Sequence, residues 1–109
     1  MHEMSIMRNV VDIVQEHAAG RPVRRLRLEV GLLSGVMPDA LRFCFDMVAR
    51  GTVLEGAVLE IVELPVRACC SACGEEEMLH EIRWQCSRCG GRLQWQGGDE
   101  LAVKEMELA

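Results

Sequence analysis

Two Cys-x-x-Cys knuckles, Cys70-x-x-Cys73 and Cys86-x-x-Cys89, lie 12 residues apart in a chain of 109. Four thiolates in two such pairs close a tetrahedral shell around one Zn²⁺ and leave no position open for chemistry. Glycine follows each second cysteine, at Gly74 and Gly90, where a knuckle that turns backbone N–H groups toward sulfur requires a positive φ. A rubredoxin-like iron site uses the same ligand set and is the alternative occupant. Cys69 would spoil the two-residue spacing if it replaced Cys70, so it reads as a bystander. His80, in the connecting loop, reads as solvent-exposed, with a role as alternative ligand as its second reading. Trp84 and Trp95 flank the second knuckle and read as packing against it. Glu75-Glu76-Glu77 reads as a solvated loop.

The remainder of the chain carries ordinary α/β patterning. Ile6, Val10, Ile13, Val14 and His17 recur at helical spacing over residues 4–19, and Gly20 and Pro22 stop that helix. Met4, Met7 and His17 read as helix filler. In residues 23–32, Leu26, Leu28 and Val30 alternate with Arg25, Arg27 and Glu29, the mark of a half-buried strand. Pro38 and Asp39 suit the first turn of a second helix, with Leu41, Cys44, Phe45 and Val48 as its apolar stripe and Gly51 its end. Cys44 on that stripe reads as a packing residue. Residues 57–64 form a strand with Ala57, Leu59 and Ile61 on one face.

From residue 67 to 96 cysteines, glycines and acids replace the apolar pattern. A segment this short buries little core, so metal must supply much of its folding free energy. After Gly97-Gly98 a last strand has Leu101 and Val103 on one face and Met106 and Leu108 on the other. The phase slips by one near Lys104-Glu105, as a bulge would cause. The predicted class is α+β. Two helices lie on a three-stranded sheet, built from residues 1–66 with 97–109, and a zinc-ribbon-like four-cysteine domain, 67–96, is inserted. Pro65 and Gly97-Gly98 mark the chain crossings and predict relative motion of the two lobes.

Charge narrows the function. A net charge of −5 and a pI near 5.2 argue against a nucleic-acid footprint, and the cluster Arg21, Arg24, Arg25 and Arg27 is mostly one solvated strand face. No apolar run approaches the ~18 residues of a membrane span, and the amino terminus lacks a basic-then-apolar signal segment. Four cysteines at metal spacing fit a reducing cytoplasm. No nucleophile–base pair or phosphate loop is visible, so the chain does not read as an enzyme. The opening Met1-His2-Glu3 is a second metal device. A free amine, the next backbone nitrogen and an imidazole form fused chelate rings suited to square-planar Ni²⁺ or Cu²⁺, with Glu3 able to add a carboxylate.

Met1-His2-Glu3, the stretches Val30-Gly31 through Phe45-Asp46 and Arg50-Gly51-Thr52 to Leu64, both Cys-x-x-Cys-Gly knuckles and the Gly98 to Leu108 ending together resemble the HypA/HybF family. These are nickel metallochaperones of [NiFe]-hydrogenase maturation. The resemblance implies a nickel-binding α/β domain and an inserted zinc domain. It implies nickel held by the amine of Met1 and the backbone and imidazole nitrogens of His2, with Glu3 contributing, and zinc held by Cys70, Cys73, Cys86 and Cys89. It also implies work with the GTPase HypB, delivery to the hydrogenase large-subunit precursor and, in some bacteria, supply of urease maturation. Asp39 matches a carboxylate implicated in some members, and Ser87 stands where many have proline. A zinc-ribbon nucleic-acid binder and a rubredoxin-like electron carrier are the rival functions; salt-dependent binding would mark the first and a coloured, redox-active preparation the second.

Overall fold

The computed structural model describes residues 2–109. In chain order it contains α1 (Glu3–Ala18), β1 (Val23–Gly31), α2 (Pro38–Ala49), β2 (Val58–Leu64), β3 (Val66–Cys70), β4 (Glu76–Leu79), β5 (Leu93–Gln96) and β6 (Leu101–Leu108). The strands form two three-stranded sheets, ordered β2-β1-β6 and β4-β3-β5. The molecule extends 54 × 22 × 17 Å, and its radius of gyration of 17.2 Å exceeds the roughly 13 Å expected of one compact body this long. The elongation reflects two cores set end to end.

The larger core lies between one face of the first sheet and both helices. Leu26, Leu28 and Val30 of β1 meet Met7, Val10, Val11 and Val14 of α1 and Leu41, Cys44 and Phe45 of α2. β1 is the central strand because its alternation offers an apolar face along its whole length. β2 runs parallel to it through the α2 crossover, and β6 runs antiparallel on its other side. The expected return of the last strand is therefore present, as is the bulge. The register of β6 against β1 jumps between Arg27 and Leu28, from Glu105 to Val103, leaving Lys104 unpaired. That extra residue brings Val103, Met106 and Leu108 onto the same core, which the bare alternation had split between two faces.

The helix α1 is turned differently from expectation. Met7, Val10, Val11, Val14 and Ala18 are buried, whereas Ile13 is 47% exposed and His17 sits on the outside, its Nδ1 2.9 Å from the Ile13 carbonyl. Met7, read as filler, is a fully buried core residue. The sheet's other face carries a ladder of ion pairs. Arg25 and Arg27 both bond Glu60 of β2, at 3.0 and 3.1 Å, while Arg27 reaches Glu105 of β6 at 2.8 Å. The arginine cluster is thus a solvated face, as expected, and glutamates on both neighbouring strands neutralise it.

The smaller core comprises Val66, Ala68, Cys70, Leu79, Cys86 and Leu93. It takes two residues from the other end of the chain, because the loop after β1 seats Leu32 and Leu33 against it. The Leu32 N–H donates to the Leu64 carbonyl at 3.0 Å, and the Leu33 N–H donates to that of Gly98. Beside this junction a Cβ on Gly31 would lie 2.2 Å from the Gly98 carbonyl oxygen, so the chains cross where only hydrogen fits. The lobes therefore touch through a third segment besides the two covalent crossings.

Candidate metal centre

The sulfurs of Cys70, Cys73, Cys86 and Cys89 all lie within 4.8 Å of one another. Cys70 Sγ is 3.5 Å from Cys89 Sγ, and Cys73 Sγ is 3.8 Å from Cys86 Sγ. Both separations are far beyond a disulfide bond. Sulfurs at tetrahedral corners about 2.3 Å from a zinc ion stand about 3.8 Å apart, close to the two separations just given, so the cage has the size and donor set that such an ion takes.

The two knuckles repeat the same backbone geometry. The Cys70 N–H donates to the Glu75 carbonyl at 2.9 Å and the Cys86 N–H to that of Gly91 at 2.7 Å. The Gly74 N–H returns to Cys70 O and the Gly90 N–H to Cys86 O, each at 3.0 Å. Gly74 and Gly90 both have φ +77, the left-handed conformation that glycine adopts without a Cβ penalty. As a result the turn amides face the sulfurs. Ala72 and Cys73 donate to Cys70 Sγ at 3.4 Å, Arg88 to Cys86 Sγ at 3.4 Å and Gly91 to Cys89 Sγ at 3.3 Å.

Those amides select the thiolate. Donation from the backbone of Cys73, and then of Ala72, holds the Cys70 thiol down at about 6 against an ordinary 9.0, despite its burial. Cys73 moves the other way, to about 12. The Glu75 amide favours its thiolate, but the neighbouring sulfur of Cys89, burial and the sulfurs of Cys70 and Cys86 together outweigh it. Four thiolates crowded this closely cannot all ionise without a cation among them. The site is built to hold one.

Cys69 lies outside the cage, its Sγ directed at the Cys70 and Gly74 carbonyls at 3.9 and 4.0 Å. Cys44 is buried in the larger core, and His80 is exposed and absent from the sulfur cluster. Trp95 packs on the smaller core and its indole N–H donates to the Arg83 carbonyl at 3.0 Å. Trp84 leans on Trp95 with ring centroids 4.4 Å apart but is itself 61% exposed, so only one of the two shields the module.

Three residues near the cage were not legible as contributors. A Cβ on Gly91 would meet Ala72 Cβ at 2.8 Å and Cys70 Sγ at 2.9 Å. The Gly90-Gly91 doublet was the available sign, since the turn's φ accounts for the first glycine alone. Glu75 and Glu77 do not belong to a free loop. Residues Glu76–Leu79 are strand β4, paired with β3, and both carboxylates bond to the second knuckle. Partial burial works against ionisation of Glu77, yet Arg83, the Ser87 amide and the Ser87 hydroxyl hold its carboxyl below the ordinary range.

At the other end of the molecule, Met1 lies outside the described residues. His2 is exposed and caps α1 without a side-chain bond, its carbonyl accepting the first helical bond from Ile6 N–H at 3.1 Å. Glu3 accepts the Met37 N–H at 3.3 Å, tying the start of α1 to the start of α2. Asp39, two residues further on, is exposed and accepts from Arg42 at 2.9 Å. Among the described residues, His2, Glu3 and Asp39 form no preassembled three-ligand cluster, and no helix is long and apolar enough to cross a membrane.

A two-layer α/β body joined to a four-thiolate ribbon defines a small two-lobed metalloprotein. Residues 1–108 match the family described as hydrogenase/urease nickel incorporation, metallochaperone, hypA. The chain is 50% identical over 109 residues to the hydrogenase maturation factor HypA of Rippkaea orientalis, covering 99% of this chain and 96% of that one. It is 51% identical to that of Trichormus variabilis, with the same coverage. The solution structure of the Ni metallochaperone HypA from Helicobacter pylori superposes with a TM-score of 0.68 at 21% identity, covering 99% of this chain and 97% of that chain, a likeness of fold. The chain belongs to the HypA family, whose members are nickel-incorporation metallochaperones and maturation factors rather than enzymes.

Proposed function

We propose that this chain carries Ni²⁺ at its amino terminus and delivers it to the large-subunit precursor of a [NiFe]-hydrogenase. The amine of Met1 and the backbone and imidazole nitrogens of His2 are the ligands, with Glu3 contributing. Cys70, Cys73, Cys86 and Cys89 hold a structural Zn²⁺, which supplies folding free energy to residues 67–96. Residues 1–66 with 97–109 make the nickel-binding domain. HypB is the GTPase partner, the cytoplasm is the compartment, and urease maturation is a second destination for the same cargo.

The observation that carries this reading is the position of His2. It is exposed at the first turn of a 16-residue helix, and the Glu3–Met37 bond fixes that turn to α2. The first four N–H groups of a helix have no intrahelical partner, so ligation by the His2 backbone nitrogen breaks no helical bond. The partial positive charge of the helix start disfavours a bound cation and tempers affinity. A carrier needs that property, together with an open edge at which an acceptor's ligands displace the protein's own stepwise. The closed thiolate cage offers neither.

The test is a nickel titration of the parent and His2→Ala, with zinc measured in both. One nickel per parent chain, lost in His2→Ala at unchanged zinc content, is expected. Both terminal nitrogens must shed protons to ligate, so parent affinity should also fall as pH is lowered. Equal nickel binding by His2→Ala would remove the terminus as the carrier site.

A further inference from the structure

We infer that Glu77 and Glu75 are positioning residues for the metal cage: they clamp the second knuckle onto the first and thereby slow metal release. Both knuckles hang from short elements, and their second cysteines, Cys73 and Cys89, are exposed. On its carboxy-terminal side the second knuckle is tied down, since β5 pairs with β3 and the Ser71 N–H donates to the Arg92 carbonyl at 3.0 Å. On its amino-terminal side a gap remains, because Glu81 to Gln85 belongs to no named strand and is exposed throughout.

The acidic strand closes that gap. Glu77 Oε2 accepts the Ser87 N–H at 3.4 Å, and both its oxygens lie within reach of the Ser87 hydroxyl, at 3.3 and 3.4 Å. The same carboxylate accepts Arg83, whose Nε also donates to the Gln85 carbonyl at 3.1 Å. Glu75 accepts Arg88 Nη1 at 3.0 Å. The two residues between Cys86 and Cys89 are therefore each held by a carboxylate from the segment that follows Cys73. β4 in turn is fixed to β3, which ends at Cys70, through the pairs Ala68↔Glu77 and Cys69↔Glu76. The clamp thus runs from one ligand-bearing strand to the turn carrying the other two ligands.

Groups bonded directly to metal ligands change affinity by about 10- to 100-fold when removed. Glu77 and Glu75 act one residue further out, on Ser87 and Arg88, so about 10-fold, the lower end, is the scale expected here. The effect here falls on release, because a cage opens by swinging one knuckle away from the other. Proline at residue 87 has no N–H to satisfy and fixes its own φ, so it should make the turn less dependent on the carboxylate.

The inference rests on the four-thiolate reading, so the experiment first measures metal in the purified parent. Zinc transfer to a chromophoric chelator is then timed for the full chain, for Glu77→Ala, for the pair Glu75→Ala with Glu77→Ala, and for Glu77→Ala with Ser87→Pro. Amide exchange at Ser87 is followed alongside. Glu77→Ala should release zinc about 10-fold faster or more, Ser87 should lose protection, and Ser87→Pro should recover most of the retention. If Glu77→Ala does not fold, Glu77→Gln replaces it; an amide keeps an acceptor for Ser87 and loses the charge for Arg83, so release should be faster than in the parent and should slow again when Ser87→Pro is added. Zinc release at the parent rate in every variant overturns the clamp while leaving the four-thiolate site standing. Faster release that Ser87→Pro fails to slow also overturns it, because the carboxylate then acts only on general stability. A parent without metal overturns both readings.

Discussion

Removing the metal should unfold one end of this molecule and spare the other. Among the described residues, three large aliphatic side chains are buried in the smaller core, Val66, Leu79 and Leu93, with Leu32 and Leu33 partly buried against them. At about 1.5–3 kcal/mol for each fully buried side chain the three contribute roughly 5–9 kcal/mol. Structural zinc contributes about 10–16 kcal/mol in comparable small modules near neutral pH, so a zinc ion would outweigh these three side chains together. The larger core has fifteen buried residues and no thiolate ligand among them. Two probes separate the lobes in one sample. Both tryptophans, Trp84 and Trp95, lie beside the cage, and both helices, α1 and α2, lie in the body. On adding a strong chelator at neutral pH, tryptophan emission should shift to the red as the Trp84–Trp95 contact opens. Helical circular dichroism should persist, and it should melt later with a separate midpoint. A simultaneous loss of both signals, or emission unchanged after zinc has left, would refute the claim that metal is the smaller lobe's main source of stability.

Three further outcomes follow from named contacts. Gly91→Ala places a Cβ 2.9 Å from Cys70 Sγ and should cost about 1–3 kcal/mol of overpacking, read as a lower melting midpoint by tryptophan emission with the helical signal unmoved; an unchanged emission midpoint would show that the cage yields freely. Glu60 sits below its ordinary 4.5, chiefly through its hydrogen bond from Arg27, with partial burial opposing and Arg25 assisting. Its contribution to stability is therefore complete above pH 4.5 and lost as pH falls through the lower folded value, so the melting difference between parent and Glu60→Gln should vanish in acid; a difference that persists there would assign the effect to packing. Gly31→Ala should weaken the lobe junction, because a Cβ there meets the Gly98 carbonyl. Independent tumbling of the lobes measured by NMR relaxation should increase, and identical relaxation in parent and variant would mean the junction does not restrain them.

Strict local chemistry was easy to read in the sequence. The knuckle spacing with its paired glycines specified the sulfur cage, and the phase slip at Lys104 marked a bulge that exists. The alternation of Leu26, Leu28 and Val30 marked a half-buried strand, which is β1. Long-range choices were harder. α1 is apolar on more than one side, with Met4, Ile6, Met7, Val10, Val11, Ile13 and Val14 within eleven residues, so periodicity alone could not decide whether Met7 or Ile13 faces the sheet. Glu75-Glu76-Glu77 has poor strand propensity by composition; Glu76 and Glu77 join β4 because β3 offers a pairing edge, and Glu77 and Glu75 are held by Ser87 and Arg88 of the second knuckle. Leu32 and Leu33 gave no sign that they would seat on the other lobe, since their partners Val66 and Gly98 are distant in sequence.

The proposed nickel carrier is the amino terminus itself. Extending the chain by two residues ahead of Met1 converts its amine to an amide and leaves every side chain, including His2, in place. Nickel affinity should fall sharply in the extended protein, with zinc content, helical signal and melting unchanged. Equal nickel affinity in the two forms would contradict the account, because no site that spares the terminal amine is the one described here.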